Sequence, residues 1–553
     1  MNGSENGCQS ARPRTDCARI GWIDAGVAGA YSLAAIGATW PLAEAPSRIG
    51  TPHYDAYGNI WAIAWVVHQM ARDPLHLFDA NMFFPWTKSL AYAESLLPQA
   101  LQAAPILAAG GSVLLAYNLV LISTFVMSAL GAYWLGTELS GSRRAGFLAG
   151  LAFGFFAYRW HHIVHLQSLS TQWLPLALVC ARRAMRTPAG SWLFGLFSFT
   201  ALQCLSSGYY AMLTLLAVGL TLLFEWREGR LRPLIASLSA LLLGVVVLLP
   251  VFYQYREIRE RHGFSRGRAE AEAWSARPRS YLDPGPHAMA PHLKALHERV
   301  EDREPLYAGS WALVFAGVGC IAAARSRTAA LALSWLVVGF VISLGPSVHL
   351  LGSDWPGPFE LFRLLPGGSL LRTPARLGVL AVLGLDMLAC LGWAWMERSW
   401  RLGALPFVLA ALLGAVESQP LALRGVFREV PRAPASVAWL AQAPRGPVLE
   451  LPWMDEPTAA LYLYWSTGHW QPMINGFASF QPPGSLGLGL LGNRWPSEYT
   501  ARVFRASGVR YVVVHTDRME PQRLERLRLA RMPFGVSLLA TLGPDRVYGI
   551  AAE

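Results

Sequence analysis

The residues most able to do chemistry lie near the N-terminus, in the stretch HYDAYGNIWAIAWVVHQMARDPLHLFDANMFFPWTKSLAYAES across 53–95. Asp55 and Asn59 are four apart, so a helix sets them on one face, with Asn59 a substrate contact beside the acid. Trp61, Trp65, Phe83, Phe84, Trp86 and Tyr92 make the same stretch aromatic and apolar. A carboxylate in such surroundings has either a raised pKa or a cationic partner, and either suits a general base or a metal ligand. Asp55 and Glu94 are the candidates for catalysis, and the pair for a divalent metal if they converge. No spacing demands a metal or any other cofactor. Asp73, next to Pro74, reads as a turn residue.

Four further stretches carry groups suited to binding. YRWHHIVHLQS (158–168) supplies Arg159, a phosphate contact, and His162 and His165, polar groups facing the same pocket as Asp55. His161 and His165 have helical metal-ligand spacing, but no HExxH pattern accompanies them, which argues against a zinc hydrolase. LLRTPARLG (370–378) places Arg372 and Arg376 four apart. The guanidinium fork suits a phosphate because it donates two parallel hydrogen bonds. LSSGYYAML (205–213) offers Tyr209 and Tyr210 as an aromatic platform for a sugar ring, an aromatic belt being the simpler role. STGHWQPMINGFASF (466–480) adds His469 as a pocket residue. There is no Walker motif, GxSxG or Rossmann fingerprint.

The elements that must position these residues follow from composition. The chain has 553 residues, of which 53% are hydrophobic and only 15% charged, against roughly 25% charged in soluble domains. Mean hydropathy is +0.32. The apolar residues fall in blocks of near-membrane length, which makes this a polytopic α-helical membrane protein and excludes a disordered chain or a disulfide scaffold. The six cysteines are Cys8, Cys17, Cys180, Cys204, Cys320 and Cys390, two in the N-terminal tail and four in apolar segments. They offer neither a disulfide framework nor a CxxC knuckle. The net charge of +11 is spread over short turns, not gathered on one soluble face, so nucleic acid is not a partner.

About 11 spans are predicted, at 22–40, 112–137, 145–158, 168–181, 191–204, 209–224, 234–253, 307–324, 328–345, 374–396 and 402–417; the 145–181 region also divides in other ways. Alternate turns hold Arg143 and Arg144; Arg182, Arg183 and Arg186; Arg227, Arg230 and Arg232; Arg325 and Arg327; Arg398 and Arg401. The opposite short turns hold only Arg48 and Arg159. This is a positive-inside pattern with a cytoplasmic tail over 1–21 and, for an odd count, an outer C-terminus. A transmembrane domain over 22–417 then carries outer loops 41–111, with one or two interfacial helices, and 254–306. Residues 418–553 change rhythm. The helix-like 434–442, strand-like VLELPW (448–453) and VRYVVVHTD (509–517), a charged helix over 521–531 and a strand pair near 537–550 predict a small extracytoplasmic α/β domain.

The whole-chain layout, with DAYGNIWAIAW (55–65), DPLHLFDANMFFPWTKSLAYAE (73–94), the run 162–178, RTPAR (372–376) and HWQPMINGF (469–477), resembles bacterial members of the GT-C superfamily of membrane glycosyltransferases. The resemblance implies a polyprenyl-phosphate-sugar donor, a glycan, lipid or protein acceptor, contact with membrane lipid and a place in the bacterial cytoplasmic (inner) membrane. The early loop acid of that group maps onto Asp55, and a second acid onto Glu94. Asp55 stands alone here, without the adjacent Asp-Glu pair of protein O-mannosyltransferases, and no WWDYG-like signature of oligosaccharyltransferases follows. The expected function is sugar transfer on the extracytoplasmic face by direct, inverting displacement, with Asp55 as base and Arg372 or Arg159 on the donor phosphate. The alternatives are a transporter or flippase of lipid-linked sugars, a surface-polysaccharide ligase or polymerase, and a non-catalytic assembly protein. A transporter would place charged residues inside the spans, where Asp386 is the clearest and Asp24 lies near an end.

Overall fold

The structure is a computed structural model that describes residues 21–551 apart from 289, 351, 352, 366, 419–422, 424 and 454. The expected cytoplasmic tail, with Cys8 and Cys17, lies outside the described residues save for Gly21.

A helix forms in every one of the predicted apolar segments: Trp22–Ala38, Val113–Ser140, Arg143–Phe155, Trp173–Arg186, Gly190–Ser206, Gly208–Glu225, Leu231–His262, Ser310–Ala322, Arg327–Ser343, Val379–Ser399 and Ala404–Ser418. By length and composition, Val113–Ser140, Gly208–Glu225, Leu231–His262 and Pro374–Ser399 suffice to cross a membrane; Ser310–Ala322, Arg327–Ser343 and Ala404–Ser418 are apolar but shorter. Helix Pro374–Ser399 is the buried centre, whereas Leu231–His262 turns Leu238, Leu242, Leu243, Val246 and Val247 outward. An apolar face of that extent is a lipid-facing surface, and the chain is an integral membrane protein. Gly319 and Gly392 allow the tightest crossing in the bundle: a Cβ on either would stand 2.1 Å from a carbonyl oxygen of the facing helix. Between 145 and 181 the division differs from the expected one. Helix Arg143–Phe155 is followed by two short helices, Ala157–His161 and Leu166–Leu169, and the next long helix starts only at Trp173. The intervening residues form the floor of the candidate site.

The first long loop holds two longer helices, Tyr54–Arg72 and Leu97–Ala108. Helix Tyr54–Arg72 departs from the expected interfacial position. Ile60, Trp61, Ile63 and Trp65 are buried, covered by protein in place of lipid. Tyr57 stacks on Tyr464 and Trp65 meets Trp470 edge to face. Gly58 makes the approach of Phe477 possible, since a Cβ there would lie 2.9 Å from that ring. The covering segment is stitched on by Asn81, which accepts from Trp61 Nε1 at 3.0 Å and donates to Ser466 Oγ and the Gln471 carbonyl.

The C-terminal part carries the expected elements. Strand Val448–Leu451 runs parallel to Tyr511–His515, which pairs antiparallel with Asp545–Ile550, and Val536–Leu542 completes the four-stranded sheet. Strand Tyr511–His515 is buried along its whole length, as its β-branched run YVVVH requires. Helices Ala435–Gln442, Glu456–Trp465 and Pro521–Leu529 flank the sheet in sequence.

Candidate active site

Asp55 occupies the first turn of helix Tyr54–Arg72, where the helix dipole favours a negative charge. His53 precedes the helix, and its Nδ1 accepts the Asp55 N–H at 3.2 Å. One turn on, Asn59 donates to the Val164 carbonyl and to Gln167 Oε1, each at 3.2 Å. Asn59 is thus a clamp, and not the substrate contact expected of it. The clamp lays residues 162–168 against Asp55, so that His165 Nε2 stands 3.2 Å from Asp55 Oδ2. Both side chains remain about one quarter exposed. Partial burial pushes the Asp55 pKa up, but His165, which faces the carboxylate with its Nε2, and the fields of His53 and Arg372 outweigh it, and the carboxyl stays below the usual Asp range.

Behind His165 the array continues inward. His165 Nδ1 lies 3.3 Å from His162 Nδ1, and His162 Nε2 lies 2.8 Å from Glu304 Oε2. His162 and Glu304 are fully buried. Burial drives His162 well below the usual histidine value and raises Glu304 despite the charges of His161 and Arg376. His162 is therefore an internal link and has no face to offer a substrate. Sequence reasoning missed Glu304, one acid among several at the end of the second outer loop, and passed over His53 although it opens the Asp55 stretch.

Arg372 is a partly exposed cation whose charge acts on Asp55. Its side chain is 42% exposed, its Nη1 is 3.8 Å from Glu270 Oε1, and its guanidinium lies 5.8 Å from the Trp274 ring centroid. Its charge reaches both Tyr54 and Asp55. Arg303 lies closer over the same Trp274 ring, at 4.1 Å. Guanidiniums from two chain segments thus share one indole.

The remaining candidates turn inward. Arg159 is completely buried, donates to Thr171 Oγ1 and Thr124 Oγ1 and lies over Phe125. It braces the helices and does not face a phosphate at the surface, because helix Ala157–His161 rolls it into the bundle. Tyr209 and Tyr210 are buried too and form no open platform. Tyr209 Oη accepts the backbone N–H groups of Arg372 and Thr373, and Tyr210 Oη donates to the Ser168 carbonyl. Tyr209 thereby fixes the backbone that carries Arg372. Arg376 is buried over the Tyr209 ring, where its charge acts on Glu94 and Glu304. It is an internal counter-charge and not a surface phosphate contact.

Glu94 turns to Ser207 Oγ and the Gly208 N–H, while Asp55 turns to His165 and His53. Burial raises the Glu94 pKa. The two acids, a pair for a divalent metal only if they converge, have separate partners here, and among the described residues no group of three or more His, Cys, Asp or Glu side chains is arranged to hold an ion. His469 lies within the C-terminal part, its side chain fully buried and its pKa pushed down to about 4 by burial; its Nδ1 accepts the Gln471 N–H. It is a packing residue, with no contact to Asp55.

No family model matches the sequence, and no curated protein does. Solved structures do. Arabinofuranosyltransferase AftD from Mycobacteria superposes with a TM-score of 0.61 at 16% identity, over 96% of this chain and 40% of that one. A mutant form of the same enzyme gives 0.58 at 16% identity, over 96% and 42%. The Archaeoglobus fulgidus oligosaccharyltransferase gives 0.47 at 12% identity, over 89% and 70%. This chain spans about two-fifths of the AftD chain. The likeness extends over 96% of this chain, which therefore shares the fold of that arabinofuranosyltransferase.

Proposed function

We propose that the protein transfers a sugar from a polyprenyl-phosphate carrier to an acceptor hydroxyl at the extracytoplasmic face. The observation that carries this reading is Asp55: an ionised, partly open carboxylate held by His165 under the charge of the exposed Arg372. The acceptor O–H gives its proton to Asp55 while its oxygen bonds to the anomeric carbon. The bond from that carbon to the phosphate oxygen breaks, the electron pair leaves on the phosphate, and Arg372 stabilises the charge that develops there. A single displacement of this kind inverts the anomeric centre. The apolar faces of the outer helices suit the carrier's prenyl chain, and the Arg-rich turns suit an inner-membrane orientation with the N-terminus inside. The AftD likeness favours a pentosyl donor among the lipid-phosphate sugars. The transporter reading has less support, because Asp386 is fully buried among the helices instead of lining an opening.

The test is turnover. The purified protein in lipid nanodiscs is given a panel of synthetic polyprenyl-phosphate pentoses and hexoses, labelled in the sugar, with glycan acceptors. Release of free polyprenyl phosphate by the wild type, lost in Asp55→Asn, is the expected result. Movement of the intact labelled lipid across a proteoliposome, with no cleavage, would replace this reading with the flippase.

A further inference from the structure

The series Asp55, His165, His162, Glu304 runs through a close contact of 3.2 Å between Asp55 Oδ2 and His165 Nε2 and two hydrogen bonds, at 3.3 and 2.8 Å. Three links in series hold one proton each. Asp55 carries none of them if it is the base, so the proton between it and His165 belongs to His165 Nε2. A neutral imidazole has one N–H, which leaves His165 Nδ1 as an acceptor. The 3.3 Å contact between the two Nδ1 atoms is then a hydrogen bond only if His162 supplies the proton. His162 Nε2 in turn becomes an acceptor, and only Glu304 is there to donate to it. Each assignment forces the next.

Resting on the reading of Asp55 as base, we propose that Glu304 and His162 are positioning residues. Protonated Glu304 donates to His162 Nε2, His162 Nδ1–H donates to His165 Nδ1, and His165 is held as the Nε2–H tautomer that steadies the Asp55 carboxylate. The surroundings agree. Glu304 is buried and its Oε1 has no hydrogen-bond partner among the described residues. An ionised carboxylate left so would be costly, a neutral acid much less. The charged and titratable groups that face it are His161, His162, His165, Arg303 and Arg376; His53, His165, Arg372 and the Tyr54 and Tyr117 hydroxyls face Asp55. Burial holds Glu304 towards its protonated form and His162 towards its neutral form. The chain is directional: a carboxylic acid with its proton at the closed end keeps a carboxylate without one at the open end.

The test compares Glu304→Gln with Glu304→Ala and His162→Ala in the full chain in nanodiscs. The glutamine amide donates as the carboxylic acid does, so Glu304→Gln keeps turnover near the wild-type level. The two alanine variants lose roughly 10- to 100-fold in kcat with little change in donor KM, the scale for partners that orient a working group. The second readout is the protonation of the His165 ring by 15N solid-state NMR, assigned against His165→Gln. The wild type shows Nε2–H; Glu304→Ala admits the Nδ1–H form. A Glu304→Gln variant as slow as Glu304→Ala would overturn the proposal by showing that an ionised carboxylate is needed. An unchanged His165 ring in Glu304→Ala would overturn it too. Undiminished turnover in Asp55→Asn, with the His165 tautomer still set by Glu304, would remove the base and leave this hydrogen-bond polarity standing.

Discussion

Among the described residues, one carboxylate–histidine array stands at the first loop and another inside the C-terminal sheet. In the sheet, His515 Nδ1 lies 2.8 Å from Asp545 Oδ1 and its Nε2 3.2 Å from Glu450 Oε2. The residue types match those of the Asp55 array. The difference is access. Glu450, His515 and Asp545 are each essentially sealed, whereas Asp55 and His165 keep about a quarter of their side chains open. The sealed imidazole is flanked by two acids, which raise its pKa to about 9 although burial pulls the other way. A closed array of this kind ties strands together; an open one beside a partly exposed guanidinium has room for substrate. Residue type alone does not distinguish a staple from a site.

The largest effect expected is on Asp55. Asp55→Asn keeps the side chain's shape but removes the base, and kcat for sugar transfer falls by about 10²- to 10⁴-fold, with insertion and melting unchanged. A full-rate variant would place both arrays in the structural class. Next is Arg372→Ala, which removes a charge-assisted phosphate contact of about 1.4 kcal/mol, a roughly tenfold rise in donor KM, with a fall in kcat as well because the same charge stabilises the leaving phosphate. An unchanged donor KM would remove Arg372 from the phosphate site.

For the sealed array the expectation is reversed. His515→Gln lowers the melting temperature of the detergent-solubilised protein, but activity per folded molecule stays. Folded His515 holds its proton more tightly than the unfolded residue, whose value is about 6.5. Its stabilising contribution is therefore whole below about pH 6.5 and is lost as pH rises towards about 9. A His515→Gln variant that stays folded yet loses turnover would move the second array into the machinery. The smallest effect is that of Tyr209→Phe, which deprives the Arg372 and Thr373 N–H groups of their acceptor. About 1 kcal/mol of stability is at stake, with a modest rise in donor KM if the tyrosine places Arg372.

The helical segments and the pieces of the C-terminal sheet were legible because they depend on local pattern. Apolar runs and β-branched strands carry their own periodicity, and helices and strands arose where that pattern lay. Asp55 was legible for a similar reason: a lone acid in an aromatic stretch at a helix start is unusual at the level of residue type. The expectation that helix Tyr54–Arg72 lies along lipid failed because an apolar face looks the same whether lipid or protein covers it. The cover, from Tyr464 to Phe477, comes from some 400 residues later in the chain.

The sequence by itself determined a membrane-embedded helical bundle, a strand-bearing C-terminal part and the acid most suited to chemistry, because composition and period are local properties. Only the tertiary structure decided what surrounds that acid. It rolled Arg159 inward, sealed Tyr209, Tyr210 and His469, separated Glu94 from Asp55, and brought Glu304 through His162 and His165 to the Asp55 carboxylate. Burial and partner distance decide whether a polar side chain braces, titrates or reacts, and both are set by contacts between segments far apart in the chain.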